Sequence, residues 1–248
     1  MKIIISPAKK MMYEDTLPYK QLPVFLDKTE LLMKKLKSLS YDELKKLLVC
    51  NDEIVSLNYE RYADMDLHKN LTPALLSYDG IQYKYMAPQV FEYGYFDYAE
   101  EHLRILSGFY GVLKPFDGIT PYRLEMQARL KTDFCKNLYD FWGDDIYKEV
   151  RDKLIINLAS EEYAKTVRRY LEPDVRFVSC IFGETEKGRI VEKGVYVKMA
   201  RGEMVRFMAE KNIRDINNIK SFDRLGFTYS ERLSEENKFV FLKGEKQC

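Results

Sequence analysis

The chain has 248 residues, 46% hydrophobic and 32% charged, a balance that excludes a disordered chain and allows one large domain or two small ones. Its formal net charge of +1 excludes a bulk nucleic-acid coat, so an anion must be met by local clusters of Lys and Arg. The four cysteines (Cys50, Cys135, Cys180, Cys248) lie tens of residues apart and the only histidines are His68 and His102, which argues against a zinc knuckle, a disulfide framework or a His-rich metal site and for a reducing cytoplasm.

The opening MKIIISPAKK is too short an apolar run for a signal h-region or a membrane span, and no later uncharged segment reaches spanning length; a cytoplasmic protein is expected. KIII reads as a buried strand closed by Ser6-Pro7. Lys9 then falls just past a strand's carboxyl end, where open α/β sheets place ligand groups. Residues 26 to 38 form an amphipathic helix pattern. Ser40 and Glu43 spell a capping box for a second helix, and Asn51 caps a third. These three helices ask for no chemistry.

ALLSY is a strand candidate, followed by an Asp79-Gly80 turn signal. DYAEEHLRIL reads as a helix from about Asp97 to Ser107, closed by Gly108. DFWGDDIYKEVRDKL reads as one further amphipathic helix. IINLAS is strand-like, with Ser160 capping the helix after it. RFVSCIF and RIVEKGVYVKM read as two strands about the turn GETEKG, ARGEMVRFMAEKN as a helix, and GFTYSERLSEENKFVFLKG as a closing hairpin. No repeat or low-complexity linker is visible. The fold class expected is α+β (mixed α/β): a single domain, 1–248, with a central mixed sheet surrounded by helices. The 19 tyrosines read first as core filler with a polar tip, and otherwise as a stacking surface.

Four groups of residues could carry chemistry. In ILSGFYGVLK, Gly108 and Gly111 permit positive φ or close backbone approach. The stretch is either a glycine helix stop followed by a loop, or a set of amides that holds an anion with Arg104 and Lys114 beside it. In YVKMARGEMVRF, Lys198, Arg201 and Arg206 fall within nine residues; they are phosphate contacts or a solvated helix face. In PYRLEM, Arg123 and Glu125 share a face if the stretch is a strand. In NLASEEY, Ser160 and Glu162 cap a helix or line a pocket, and no nucleophile elbow surrounds Ser160. Phosphate-loop, dinucleotide, zinc-protease and EF-hand patterns are absent, which favours a binding protein over an enzyme and calls for no cofactor or metal.

Taken in order, IISPAKK, SYDGIQYKY, LRILSGFYGVLKPFDGITPYRLEM, NLASEEY and KMARGEMVRF form a set that resembles the YaaA family of bacterial peroxide-stress proteins, over residues 1 to about 230. The resemblance implies resistance to hydrogen peroxide and low free intracellular iron. It also implies binding of double-stranded or structured DNA through a helix-hairpin-helix-like element and a basic cleft. Here that element matches about 97–118, with its turn at Ser107 to Leu113. The implied DNA- and anion-binding residues are Lys9, Arg104, Ser107, Gly108, Tyr110, Gly111, Lys114, Arg123, Lys198, Arg201 and Arg206. Apart from the resemblance, a monomer that binds no membrane is expected. The alternative is an enzyme acting on a small phosphorylated or nucleotide-like substrate in the same cleft, with Glu125 or Glu162 as acid or base.

Overall fold

Lys2–Ile5 forms β1, as its unbroken β-branched run predicts, in a computed structural model that describes residues 1–14 and 16–244. Cys248 lies outside the described residues. After β2 (Lys10–Met11) come α1 (Leu26–Lys37), α2 (Tyr41–Leu48) and α3 (Asp52–Asp64). The capping box is formed: Glu43 N donates to Ser40 Oγ, and Ser40 N donates to Glu43 Oε2 at 2.8 Å. Asn51 Oδ1 accepts from Ile54 N at 3.1 Å and starts α3.

The chain continues through β3 (Thr72–Pro73), α4 (Ala74–Ser77), β4 (Tyr78–Asp79) and α5 (Ile81–Met86). ALLS is therefore a helical turn and not a strand. Next are α6 (Tyr93–His102), β5 (Leu103–Ser107), β6 (Gly111–Leu113) and β7 (Gly118–Ile119). α7 (Leu138–Trp142) and α8 (Asp145–Val150) split the single helix expected there, because Gly143 takes φ +51° between them. The remaining elements are β8 (Leu154–Leu158), α9 (Glu161–Arg168), β9 (Arg176–Glu186), β10 (Arg189–Val191), α10 (Gly194–Glu210), β11 (Phe227–Tyr229) and β12 (Lys238–Lys243). GVYVKM thus starts α10 and does not extend a strand.

The central sheet is eight-stranded and mixed, in the order β11-β12-β9-β8-β1-β5-β6, with β10 beside β9. β12, β9, β8, β1 and β5 run parallel, while β11, β6 and β10 pair antiparallel. Ile3, Ile4 and Ile5 have no exposed surface, as expected for a strand covered on both faces. α10 packs chiefly on α5, and also on α6 and β9. Gly202 is required there: a Cβ on it would lie 2.1 Å from the Gln82 carbonyl oxygen. Eight of the tyrosines behave as core filler, while Tyr13, Tyr19, Tyr59, Tyr93 and Tyr196 are exposed. Tyr62, Tyr78, Tyr83, Tyr98, Tyr110, Tyr122, Tyr147 and Tyr163 are all buried.

The helix-hairpin-helix expected over about 97–118 is not formed. The helix ends at His102, and Leu103–Ser107 pairs in parallel with β1, with Ile3 opposite Leu103 and Ile5 opposite Ile105. Ser107 to Gly111 is the turn of a β-hairpin whose strands pair Ile105 with Leu113. All five turn residues are buried. The apolar run from Leu103 suits a helix as well as a strand, and the bare edge of β1 decides between them.

Candidate functional site

Along the sheet, β1 connects onward to β5 on one side, whereas β8 connects through α9 to β9 on the other. The strand order therefore reverses between β1 and β8, and open α/β sheets bind ligands outside the carboxyl ends of the strands at such a point. A cleft of about 470 Å³ opens here. Its walls are the loop after β1 (Ser6 to Lys10), the start of α9 (Ser160, Glu162, Tyr163), the turn into α5 (Asp79 to Tyr83), the segment Tyr122 to Glu125, and Lys198 and Arg201 of α10.

Hydrogen bonds hold these walls in register. Ser160 N donates to Ser6 Oγ at 2.9 Å, and the two hydroxyls lie 3.2 Å apart. The Ser160 hydroxyl thus ties β8 to β1, and it makes no cap bond to α9. Tyr83 OH donates to the Ser6 carbonyl at 3.0 Å. A Cβ on Gly80 would lie 2.8 Å from the Ala8 Cβ, so only glycine lets the α5 turn approach the β1 loop this closely.

Segment 120–126 is irregular, not a strand, yet it is firmly held. Tyr62 OH donates to the Arg123 carbonyl at 2.7 Å and accepts from Arg123 N at 3.2 Å. From below, Gly108 lets the segment pass: a Cβ there would lie 2.4 Å from the Leu124 carbonyl oxygen and 3.0 Å from Met126 N. Ser107 accepts from Phe109 N and Tyr110 N, and its hydroxyl lies 2.6 Å from Tyr122 OH, which lies 2.7 Å from Tyr78 OH. Burial pushes the Tyr122 hydroxyl up to about 12, so it stays protonated.

Gly108 therefore supports the cleft from beneath, whereas Gly111 backs onto Trp142, outside the cleft. Two of the hairpin's amides are taken up by Ser107, and a Cβ on Gly111, whose φ is +75°, would lie 2.8 Å from the Trp142 ring. Arg104 is buried in β5 and donates to the Glu100 and Leu103 carbonyls. With Lys114 it lines a separate cavity of about 40 Å³. Arg206 pairs with Glu210 at 2.6 Å on α10, where Arg224 also meets Glu203 and Glu210, and it does not line the cleft. Of the expected basic set, Lys9, Arg123, Lys198 and Arg201 converge.

Five cationic residues (Lys9, Lys10, Arg123, Lys198, Arg201) face three acids (Asp79, Glu125, Glu162) in this cleft. The acids are already engaged. Glu125 meets Lys9 at 3.0 Å and Arg123 at 3.3 Å. Asp79 meets Lys10 at 2.6 Å and Lys84 at 3.4 Å, and the Lys10 bond lowers its pKa. Glu162 accepts from Gln127 N at 3.1 Å; burial raises its pKa and neighbouring Glu125 adds to the rise. The donors are less well served. Gln82 Nε2, Arg123 Nε and Arg201 Nε are buried without a hydrogen-bond partner. Lys198 and Arg201 make no ion pair among the described residues. Burial lowers the Arg201 pKa.

Buried polar atoms are almost always paired, so unpaired donors gathered in one cleft call for acceptors from outside the chain. Sequence reasoning missed Gln82, which looked like an ordinary polar residue, and Gly202, and it read Gly80 only as a turn signal, because both glycines are required by the approach of segments distant in sequence. Among the described residues, no group of three or more His, Cys, Asp or Glu side chains could hold a metal ion, and no helix is long and apolar enough to cross a membrane.

Fold and site together define a mixed α/β protein with a donor-rich cleft at the switch point of its sheet. A family profile described as peroxide stress protein YaaA matches residues 1–233. The chain is 66% identical over 246 residues to a UPF0246 protein of Desulfitobacterium hafniense, covering 98% of each chain. It is 55% identical to a UPF0246 protein of Lachnoclostridium phytofermentans, covering 99% of this chain and 97% of that one, and 50% identical to one from Ligilactobacillus salivarius, covering 98% and 100%. The chain belongs to the YaaA family of peroxide-stress proteins.

Proposed function

We propose that this peroxide-stress family member binds a small phosphorylated anion in the switch-point cleft, with Arg123 and Arg201 as inner contacts and Lys9 and Lys198 at the rim. The observation that carries the reading is the set of buried donors left without partners where every acid is already engaged. Arg suits an inner phosphate contact because its planar fork meets two oxygens at once. The volume of 470 Å³ lies within the range of about 300–1,000 Å³ common for small-molecule sites. Titration calorimetry with inorganic phosphate tests this. Binding is expected in the native protein and at least tenfold weaker in Arg201→Met; equal binding by both would refute it.

A second reading keeps DNA as the partner, bound at the mouth of the cleft and not at the hairpin. It is favoured by the exposed Lys9, Lys10 and Lys84, with side chains 64%, 76% and 69% accessible. Lys9 also borders an adjoining groove that holds Lys46 and Arg129. Such contacts would address phosphates and backbone shape, not sequence. Fluorescence anisotropy with duplex and four-way-junction DNA should then show affinity falling with salt, by about 0.9 log units per log unit of salt for each phosphate neutralised. Flat or absent binding would refute it. Low free iron under peroxide, the remaining family expectation, is tested by spin-resonance measurement of cellular iron in a deletion strain complemented with native or Arg201→Met protein.

A further inference from the structure

We infer that the anion is a nucleotide, with its phosphate between Arg123 and Arg201, its base against the tyrosine floor, and Gln82 donating to an acceptor on the base edge. This rests on the phosphate-cleft reading and adds the rest of the ligand.

Three features lead from a phosphate to a nucleotide. The first is the floor. Tyr83 and Tyr122 line the cleft, but their hydroxyls are spent on the Ser6 carbonyl and on Ser107 and Tyr78. Both are nearly buried, so the little of each that reaches the cleft is a strip of ring carbon, which suits the edge of a flat apolar body. The second is Gln82. Its Nε2 is a neutral donor, buried on α5 and unpartnered, so it needs an acceptor distinct from the phosphate that the arginines would take. A ring nitrogen or exocyclic oxygen of a base supplies one. The third is the state of the acids. Asp79, Glu125 and Glu162 already accept from the protein, so sugar hydroxyls, common to a sugar phosphate and a nucleotide, add little here, and further affinity must come from an apolar group with an acceptor edge. The cleft is rich in unpaired donors and apolar surface, which is the complement of a base joined to a phosphate.

Gln82 is also held by a contact that its side chain does not make. Its carbonyl packs on Gly202, so exchanging the amide leaves the α5–α10 crossing intact. Calorimetry is run with inorganic phosphate, ribose 5-phosphate, adenosine and the four common ribonucleoside monophosphates. Native protein is compared with the uncharged variants Gln82→Met and Gln82→Leu, each checked for native melting, and with Arg201→Met. At least one nucleotide should bind about tenfold or more tighter than ribose 5-phosphate, the scale that base stacking on aromatic rings supplies. The Gln82 variants should lose most of that advantage and keep their ribose 5-phosphate affinity. If phosphate and ribose 5-phosphate bind and no nucleotide exceeds them, the nucleotide assignment is overturned and the phosphate cleft stands. If a nucleotide gains and both Gln82 variants keep the gain, the role of Gln82 is overturned. If no anion binds, or Arg201→Met binds as well as native protein, the phosphate cleft itself fails and the nucleotide with it.

Discussion

Replacing Gly108 with alanine adds one methyl group at the most crowded point beneath the cleft. The new carbon would lie 2.4 Å from the Leu124 carbonyl oxygen, with Glu125 C and Met126 N at 3.0 Å. All three are backbone atoms, so no side chain can swing aside. The Leu124–Met126 segment must retreat by about 1 Å to restore van der Waals separation. It cannot do so freely, because Tyr62 holds the backbone of Arg123 through both its N–H and its carbonyl. Overpacking of this kind costs about 1–3 kcal/mol, which in a chain of this size lowers Tm by roughly 2–12 °C. Arg123 and Glu125 shift with the segment, so phosphate affinity should fall even at temperatures where the variant is fully folded. Differential scanning calorimetry and phosphate titration of Gly108→Ala read the two effects. A variant with native Tm and native affinity would refute the close approach and the support role assigned to the hairpin.

Other outcomes follow from the charges. Arg201 carries a partly buried cation with no ion-pair partner among the described residues, so Arg201→Met should melt higher while losing phosphate protection; the gain is expected near the low end, about 1 kcal/mol, of what replacing buried charge by apolar side chains can give. An unchanged or lower Tm would show that the cation is already compensated. Protonated Glu162 is neutral, and its pKa is raised by burial. Affinity for sulfate, which does not titrate in this range, should therefore fall as pH rises through the region above the ordinary carboxylate value, and Glu162→Gln should flatten the profile. Asp117 is pushed up to about 6 by burial, above its unfolded value. The native state therefore holds the proton more tightly, and stability is greatest below the unfolded pKa and declines as pH rises to about 6. At about 1.4 kcal/mol for each pH unit between the unfolded and folded values, the decline is on the order of 3 kcal/mol. Denaturant melts of native protein and Asp117→Asn from pH 4 to 7 should converge at the acid end and separate above it.

Much of the fold was legible where local chemistry and tertiary demand agree. KIII could only be a buried strand, Ser40 and Glu43 close their own capping box, Asn51 caps its own helix, and the last strands announce a hairpin by β-branched and aromatic runs. Resemblance to a family came from blocks of sequence and needed no fold. The stretch 103–107 was misread because its apolar run suits a helix or a strand, and only the free edge of β1 selects the strand.

The cleft was half legible. Lys9, Arg123, Lys198, Arg201, Glu125 and Glu162 were singled out by type, alongside Arg104, Lys114 and Arg206, which the fold places elsewhere. By itself the sequence determined which side chains can carry charge, which can cap, and which runs must be buried, because those properties belong to a residue and its near neighbours. The tertiary structure alone decided which charges meet, which acids are already spoken for, and which glycines must be glycines. Those follow from the approach of segments far apart in the chain: Gly108 beneath Leu124, Gly202 against Gln82, and Ser6 bound to Ser160. Strand order brings them together, and strand order is a property of the whole sheet.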